Sequence, residues 1–228
     1  MNALLTGDEY GLSKEKSSHL LRDGFGLEVG VSCVSESEKT VSEALKDPVE
    51  EAIVYVQKQP IVNADETSFK QGNGDGMNPT GKKAWVWVAV TPLVTIFLVL
   101  FGRGKEAAKT LLGETFSGIV GSDRWSAYNW VELLCRQLCW SHLLREFQKI
   151  AERSGVCKEI GENLLEAGQE LFHYWHRVRD GTLKRSSFQQ YAHFIRSRIR
   201  GSLEEGASYE RMHFSSYFLT SRMNFSNL

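Results

Sequence analysis

Two short apolar runs, Ile61-Val62-Asn63-Ala64 and Gly118-Ile119-Val120-Gly121-Ser122, each run into an aspartate, Asp65 and Asp123. Runs of that length, rich in β-branched residues, form buried strands. An acid at the end of each of two neighbouring strands puts a pair of hard oxygen ligands on rigid elements, the minimum scaffold for a divalent cation such as Mg²⁺. The plainer reading is that each aspartate caps the turn after its strand, a common place for Asp. By period-two alternation Glu66 faces away from Asp65 and is not a ligand.

The chain around these runs reads in blocks. Residues 1–58 are helical: Ser13 caps a helix from Lys14 to Arg22, ended by Gly24 and Gly26, and Ser32 or Ser35 caps a second that runs toward Val56. Helix, glycine-containing turn, helix is the outline of a helix-turn-helix, and equally of a plain helical hairpin packed on the next domain. From 59 to 141 the pattern turns to strands. Val62–Asp65, Ala84–Val90 and Thr95–Phe101 are three, with a glycine-rich turn from Gln71 to Gly81. Gly104–Leu112 has helical spacing, Ile119–Asp123 is a strand, Trp125–Leu134 a helix and Arg136–Trp140 a short strand. The order βββαβαβ is that of a ribonuclease-H-like mixed sheet, an α/β fold in which acids at the ends of the first and fourth strands meet at one edge; that step is analogy at the level of fold. Residues 142–205 are a helical insertion with Leu143, Leu144, Phe147 and Ile150 on one face. Residues 206–228 lose all periodicity and are expected to be a disordered or foreign tail.

A net charge of −1 gives no global case for a nucleic-acid partner, so such a case rests on local patches. Charge is unevenly spread: residues 1–60 carry 6 Lys/Arg against 11 Asp/Glu, whereas 171–200 carry 7 against 1. A phosphate-binding surface therefore falls late in the chain. Four scattered cysteines, 33, 135, 139 and 157, make no disulfide framework, and no signal peptide opens the sequence, which points to a reducing cytoplasm. The longest apolar run, Ala84 to Phe101, is broken by Thr91-Pro92 and suits two strands and a turn rather than a membrane span.

Five segments, Ala64-Asp65-Glu66-Thr67, Lys83-Ala84-Trp85-Val86-Trp87-Val88, Arg103-Gly104, Ser122 to Asn129 and Cys139 to Phe147, fall in order within about ninety residues. In order and spacing the set resembles the IS66-family bacterial insertion-sequence transposases of the DDE class, over roughly residues 4 to 200. The resemblance implies an enzyme that cuts and joins DNA strands, with two aspartates and a glutamate holding two Mg²⁺ (or Mn²⁺) ions. Asp65 and Asp123 match the first two acids. Its implied partners are the element's terminal repeats, target DNA, and further copies of itself or an intact transposase. The family's third acid lies beyond the insertion in an Asp-Asn-Asn-x-x-Glu-Arg type segment that these residues lack, and a cysteine-rich N-terminal region is also missing. The chain therefore looks like a fragment or frameshifted copy, incomplete and inactive, with a non-catalytic DNA-binding or regulatory remnant as the alternative.

Other residues admit two readings. Cys139 and His142 have a ligand-like spacing, but zinc wants a second Cys/His pair that the sequence does not offer, so they are read as a structural or DNA-facing feature at the start of the insertion. Trp85 and Trp87 read as core. Arg103 and the cluster Arg196, Arg198 and Arg200 are candidates for phosphate contact, since guanidinium groups grip phosphate bidentately. Glu146, 23 residues after Asp123, is a substitute for the third acid on spacing alone, although it belongs to the motif that precedes the insertion.

Overall fold

The computed structural model describes residues 11–72, 76 and 78–208. The chain divides into two compact units, Met1–Tyr55 and Val56–Leu228. Together the described residues form an α/β architecture with a five-stranded mixed sheet and seven α-helices. None of those helices is long and apolar enough to cross a membrane.

In the first unit α1 (Lys14–Phe25) is opened by Ser13, whose Oγ accepts from the Lys16 amide at 3.2 Å, and closed by Gly26 at φ 66°. Gly26 is where a left-handed residue is needed, and glycine adopts it without the Cβ penalty. α2 (Val31–Ala44) follows, with Lys14 Nζ reaching Glu38 at 2.7 Å and Ser35 Oγ at 3.1 Å. The expected single second helix is in fact two. It starts at Gly30 rather than at Ser32 or Ser35, and gives way after Leu45 to α3 (Lys46–Gln57). Pro48 accounts for the break: lacking an N–H, it cannot continue a helix that needs a donor to Ala44, but it fits the first turn of a new one.

The second unit holds the sheet. β1 (Ile61–Phe69) pairs antiparallel with β2 (Ala84–Val90), and β2 antiparallel with β3 (Thr95–Leu100). After α4 (Lys105–Leu112), β4 (Ile119–Ser122) returns parallel to β1, and β5 (Arg136–Leu138) is parallel to β4. The spatial order is β3-β2-β1-β4-β5. The strand order read from the sequence holds, with β1 longer than expected and β5 shorter. The glycine-rich turn between β1 and β2 falls partly outside the described residues. The helix expected over 125–134 is absent: that stretch makes two single 3₁₀ turns, Ser126–Tyr128 and Leu133–Cys135. Ser, Tyr and Asn there are weak helix formers, and tertiary bonds from Tyr128, Asn129 and Trp125 hold the backbone in another path.

Register sorts the sheet into two faces. Val62, Ala64 and Glu66 of β1, Trp87 and Ala89 of β2 and Ile96 of β3 are buried on the face that α4 covers with Ala108, Leu111 and Leu112. The opposite face carries Asn63, Asp65 and Thr67, then Val88 and Val90, then Phe97 and Val99; Phe97 is 64% exposed and Val99 50%.

After β5 come α5 (Trp140–Ala151), α6 (Val156–Arg179) and α7 (Arg185–Ser208), which pack around Leu143, Phe147, Leu164, Leu171, Phe188 and Ile195. Of the face expected from Leu143, Leu144, Phe147 and Ile150, Leu143, Phe147 and Ile150 are buried and Leu144 is partly buried against the same core. α7 runs on through Gly206 to Ser208, past the expected end of the insertion at 205, because Leu203 and Gly206 still face the core. Residues 209–228 of the expected tail lie outside the described residues.

α5 and α6 come closest at Gly161, where a Cβ would stand 2.2 Å from the Ala151 backbone nitrogen. No side chain fits there without parting the helices. Gly161→Val is expected to lower stability by about 2–3 kcal/mol, the scale of overpacking in a dense core, and an unchanged urea midpoint would disprove the close approach.

Candidate active site

The site begins with register. β1 and β4 pair as Ile61 with Ile119, Val62 with Val120 and Asn63 with Gly121. Asp65 and Asp123 each lie two residues beyond the last of these pairs, so they stand at the same level on adjacent strands. Neighbouring strands are separated by about 4.8 Å, a spacing from which two carboxylates can reach one cation. Gly121 makes room beside them: a Cβ there would stand 2.2 Å from Asn63 Oδ1.

Both aspartates line one cleft of about 340 Å³. Its floor is Asn63, Asp65, Val88, Val90, Gly121 and Asp123, and its wall is the β5–α5 junction with Leu138, Cys139, Trp140 and His142. Asp65 Oδ1 accepts from the Glu66 amide at 2.9 Å, and Asp123 Oδ1 accepts from the Trp125 amide at 2.8 Å. The turn-capping role is therefore real at Asp123. It occupies one oxygen of the carboxylate; the Oδ2 atoms of both aspartates make no hydrogen bond among the described residues. Among those residues no three Asp, Glu, His or Cys side chains converge as a metal cluster.

Glu66, correctly placed on the face opposite Asp65, turns out to organise the site from beneath. Its side chain is fully buried, and Oε1 accepts from Arg103 Nε at 2.9 Å while Oε2 accepts from the Tyr128 hydroxyl at 2.9 Å. The Arg103 guanidinium also lies 4.7 Å from the Trp85 ring and 4.0 Å from that of Trp125, whose Nε1 donates to the Arg103 carbonyl at 2.8 Å. Arg136, 5% exposed, completes the frame by donating to the carbonyls of Asp123 and Trp125 and to Asn129. Strand β1, the end of β3 and the turn after Asp123 are thus fastened to one another. Sequence reasoning passed over Tyr128, Trp125 and Arg136; Trp125 and Tyr128 had an advance signal in sitting in the same motif as Asp123, whereas Arg136 lies outside every motif named above.

The remaining candidates are spread out. Arg103 has its Nε engaged under the sheet. Arg198 on α7 pairs with Glu166 and Glu170 of α6. Arg196 and Arg200 form no ion pair among the described residues, and Arg200 is exposed. Glu146 does not face the aspartates as an acid: it accepts from Lys149 at 2.8 Å and Arg124 at 3.1 Å. The Lys149 hydrogen bond is the main reason its carboxyl sits below the usual glutamate range. Cys139 and Cys135 are free thiols.

A family model described as "Transposase IS66 family" matches residues 9–213. The chain belongs to that family. No curated protein matches it. Membership places the chain among the transposases, and the IS66-type segments named above fall on the cleft, its floor and the frame beneath it.

Burial is the leading influence on Glu66 and raises its pKa, Asp123 adding to the rise while the bonds from Arg103 and Tyr128 oppose it. The folded state thus holds this proton more tightly than the unfolded chain. The resulting stability is present in full below about pH 4.3, the free glutamate value, and is lost as pH rises through the folded-state titration. Glu66→Gln should remove that decline, and urea midpoints that run parallel for the two proteins would refute it. Glu66→Ala should cost about 2–4 kcal/mol, less than a wholly buried pair because Arg103 is 33% exposed.

Proposed function

We propose that the chain is the ribonuclease-H-like core of a DDE-type DNA transposase, in which Asp65 and Asp123 hold Mg²⁺ or Mn²⁺ and act on DNA at the ends of an insertion sequence. The observation that carries this is the parallel pairing of β1 with β4, which leaves each aspartate two residues past the last pair and both in the lining of one cleft. The strand order β3-β2-β1-β4-β5 with β2 reversed supports the fold assignment. Hard carboxylate oxygens suit these ions. A bound ion would supply charge neutralisation at the phosphodiester and activation of a water or 3′-hydroxyl.

The chain's own contribution is positional. Asp65 and Asp123 orient the reacting phosphate against the cleft floor, and Val88, Val90 and Trp140 give the cleft an apolar lining that limits water. Phosphate contacts away from the cleft fall to Arg196 and Arg200, the arginines of the late cluster without an acidic partner among the described residues. The setting is the bacterial cytoplasm, with terminal repeats, target DNA and further transposase copies as partners.

With two carboxylates, these residues position a second ion poorly, and we propose that the chain by itself is inactive or severely impaired. The lack of a third converging ligand among the described residues favours a second reading, a DNA-binding or regulatory remnant that occupies element ends without cutting them. A strand-nicking assay on IS66-type terminal repeats with Mg²⁺ or Mn²⁺ separates the readings. Little or no cutting is expected, with Mn²⁺ binding by calorimetry that disappears in Asp65→Ala and Asp123→Ala. Robust cutting abolished by Asp65→Ala would overturn the inactivity while supporting the site, and Mn²⁺ binding indifferent to both substitutions would remove the site itself. Replacing Arg196 and Arg200 together by Ala should reduce the salt slope of DNA binding by about two.

A further inference from the structure

His142 is a cleft residue that the two-aspartate reading leaves without a task. It stands in the first turn of α5 and lines the same cavity as Asp65 and Asp123. Neither ring nitrogen makes a hydrogen bond among the described residues, and Nδ1 is shut off from solvent. A buried nitrogen without a partner is costly and uncommon, and each instance calls for a missing occupant or a functional reason. With no bond to fix its tautomer, the ring is free to carry its proton on Nε2, the nitrogen that is not shut off, and to present that donor to whatever enters the cleft.

Its position relative to Asp123 is fixed by the backbone and by charge. The Cys139 amide, at the start of α5, donates to the Ser122 carbonyl at 2.7 Å, one residue before Asp123. One turn after His142, Glu146 pairs with Arg124, one residue after Asp123. These two ties bracket Asp123 and hold the His142 face of α5 against it. Among the described residues His142 and the two aspartates do not converge as a metal cluster. A nitrogen donor in the same cleft but apart from the carboxylates is placed to meet the substrate.

We propose that His142 is a substrate-contacting residue, donating a ring N–H to a non-bridging oxygen of the phosphodiester that lies in the Asp65–Asp123 cleft. The proposal rests on the nucleic-acid reading of that cleft. Phosphate oxygens only accept hydrogen bonds, and an imidazole donor is complementary to them where carboxylates alone would repel the strand. The contact requires no proton to leave the ring.

The test uses the whole chain with Ca²⁺, which avoids cleavage, and a five-nucleotide single-stranded DNA. In ¹⁵N-histidine spectra the His142 ring resonances, assigned by their loss in His142→Gln, should move when the oligonucleotide is added. His142→Ala should weaken oligonucleotide binding by about tenfold, the effect of one lost hydrogen bond to a charged group, and His142→Asn, which keeps a donor, should restore part of it. Metal affinity measured without DNA should be unchanged in His142→Ala and lost in Asp65→Ala. Ring signals that ignore the oligonucleotide in the wild-type chain overturn the contact, and loss of metal affinity in His142→Ala would make the residue a ligand instead. If the wild-type chain binds no metal, the two-aspartate reading fails on its own, while ring shifts with oligonucleotide alone still decide for or against His142.

Discussion

The buried carboxylate of Glu66 is the interaction on which the rest of the site depends. It lies between a guanidinium from the loop after β3 and a phenol from the turn after β4, so one side chain joins three segments that are far apart in sequence. Taking such a charge out of water is unfavourable, and the bonds from Arg103 and Tyr128, one to each oxygen, offset only part of that cost. The two indoles around Arg103 add to the hold: Trp125 is the residue whose amide caps Asp123, and Trp85 lies two positions from the core residue Trp87. What looks from above like a pair of carboxylates, one in the middle of β1 and not at its expected end, the other just past β4, is, from below, a single cross-linked layer. Its effect is that Asp65 and Asp123 cannot drift apart without breaking the bonds of Glu66 to Arg103 or Tyr128.

Much of this was legible in the sequence, and the parts that were not share a cause. The strands were readable because alternation and β-branched runs at 61–65, 84–90 and 95–101 are local signals, and α1 was readable because Ser13 and Gly26 mark its ends. Asp65 and Asp123 stood out because each closes such a run. The segment 125–134 misled because its conformation is set by partners elsewhere, Glu66 for Tyr128 and Arg136 for Asn129, and no local pattern records them. The break at Leu45 was available in principle, since Pro48 announces it. The task of Glu66 was half visible: alternation gave its face, but not that the face opposite the cleft would hold a charge.

The late basic cluster shows how far charge counting reaches. Residues 171–200 are strongly positive by composition, yet Arg198 is answered by Glu166 and Glu170, which lie just before that window on the neighbouring helix. The surface that remains for an anionic partner is narrower than the tally, and it is set by how α6 and α7 lie together rather than by sequence position. Arg103 has its Nε on Glu66 beneath the sheet, with 33% of its side chain still exposed.

β3 has its own implication. It is the outermost strand on its side of the sheet, Thr95-Ile96-Phe97-Leu98-Val99-Leu100, with no charge, no proline and no described neighbour beyond it. Its outer backbone donors and acceptors therefore form a ready template for a further strand, and natural sheets normally guard such a border with lysine, proline or a bulge. Left bare, this border is the place from which aggregation of the isolated chain would start, so its shelf life in solution is governed by concentration as much as by folding.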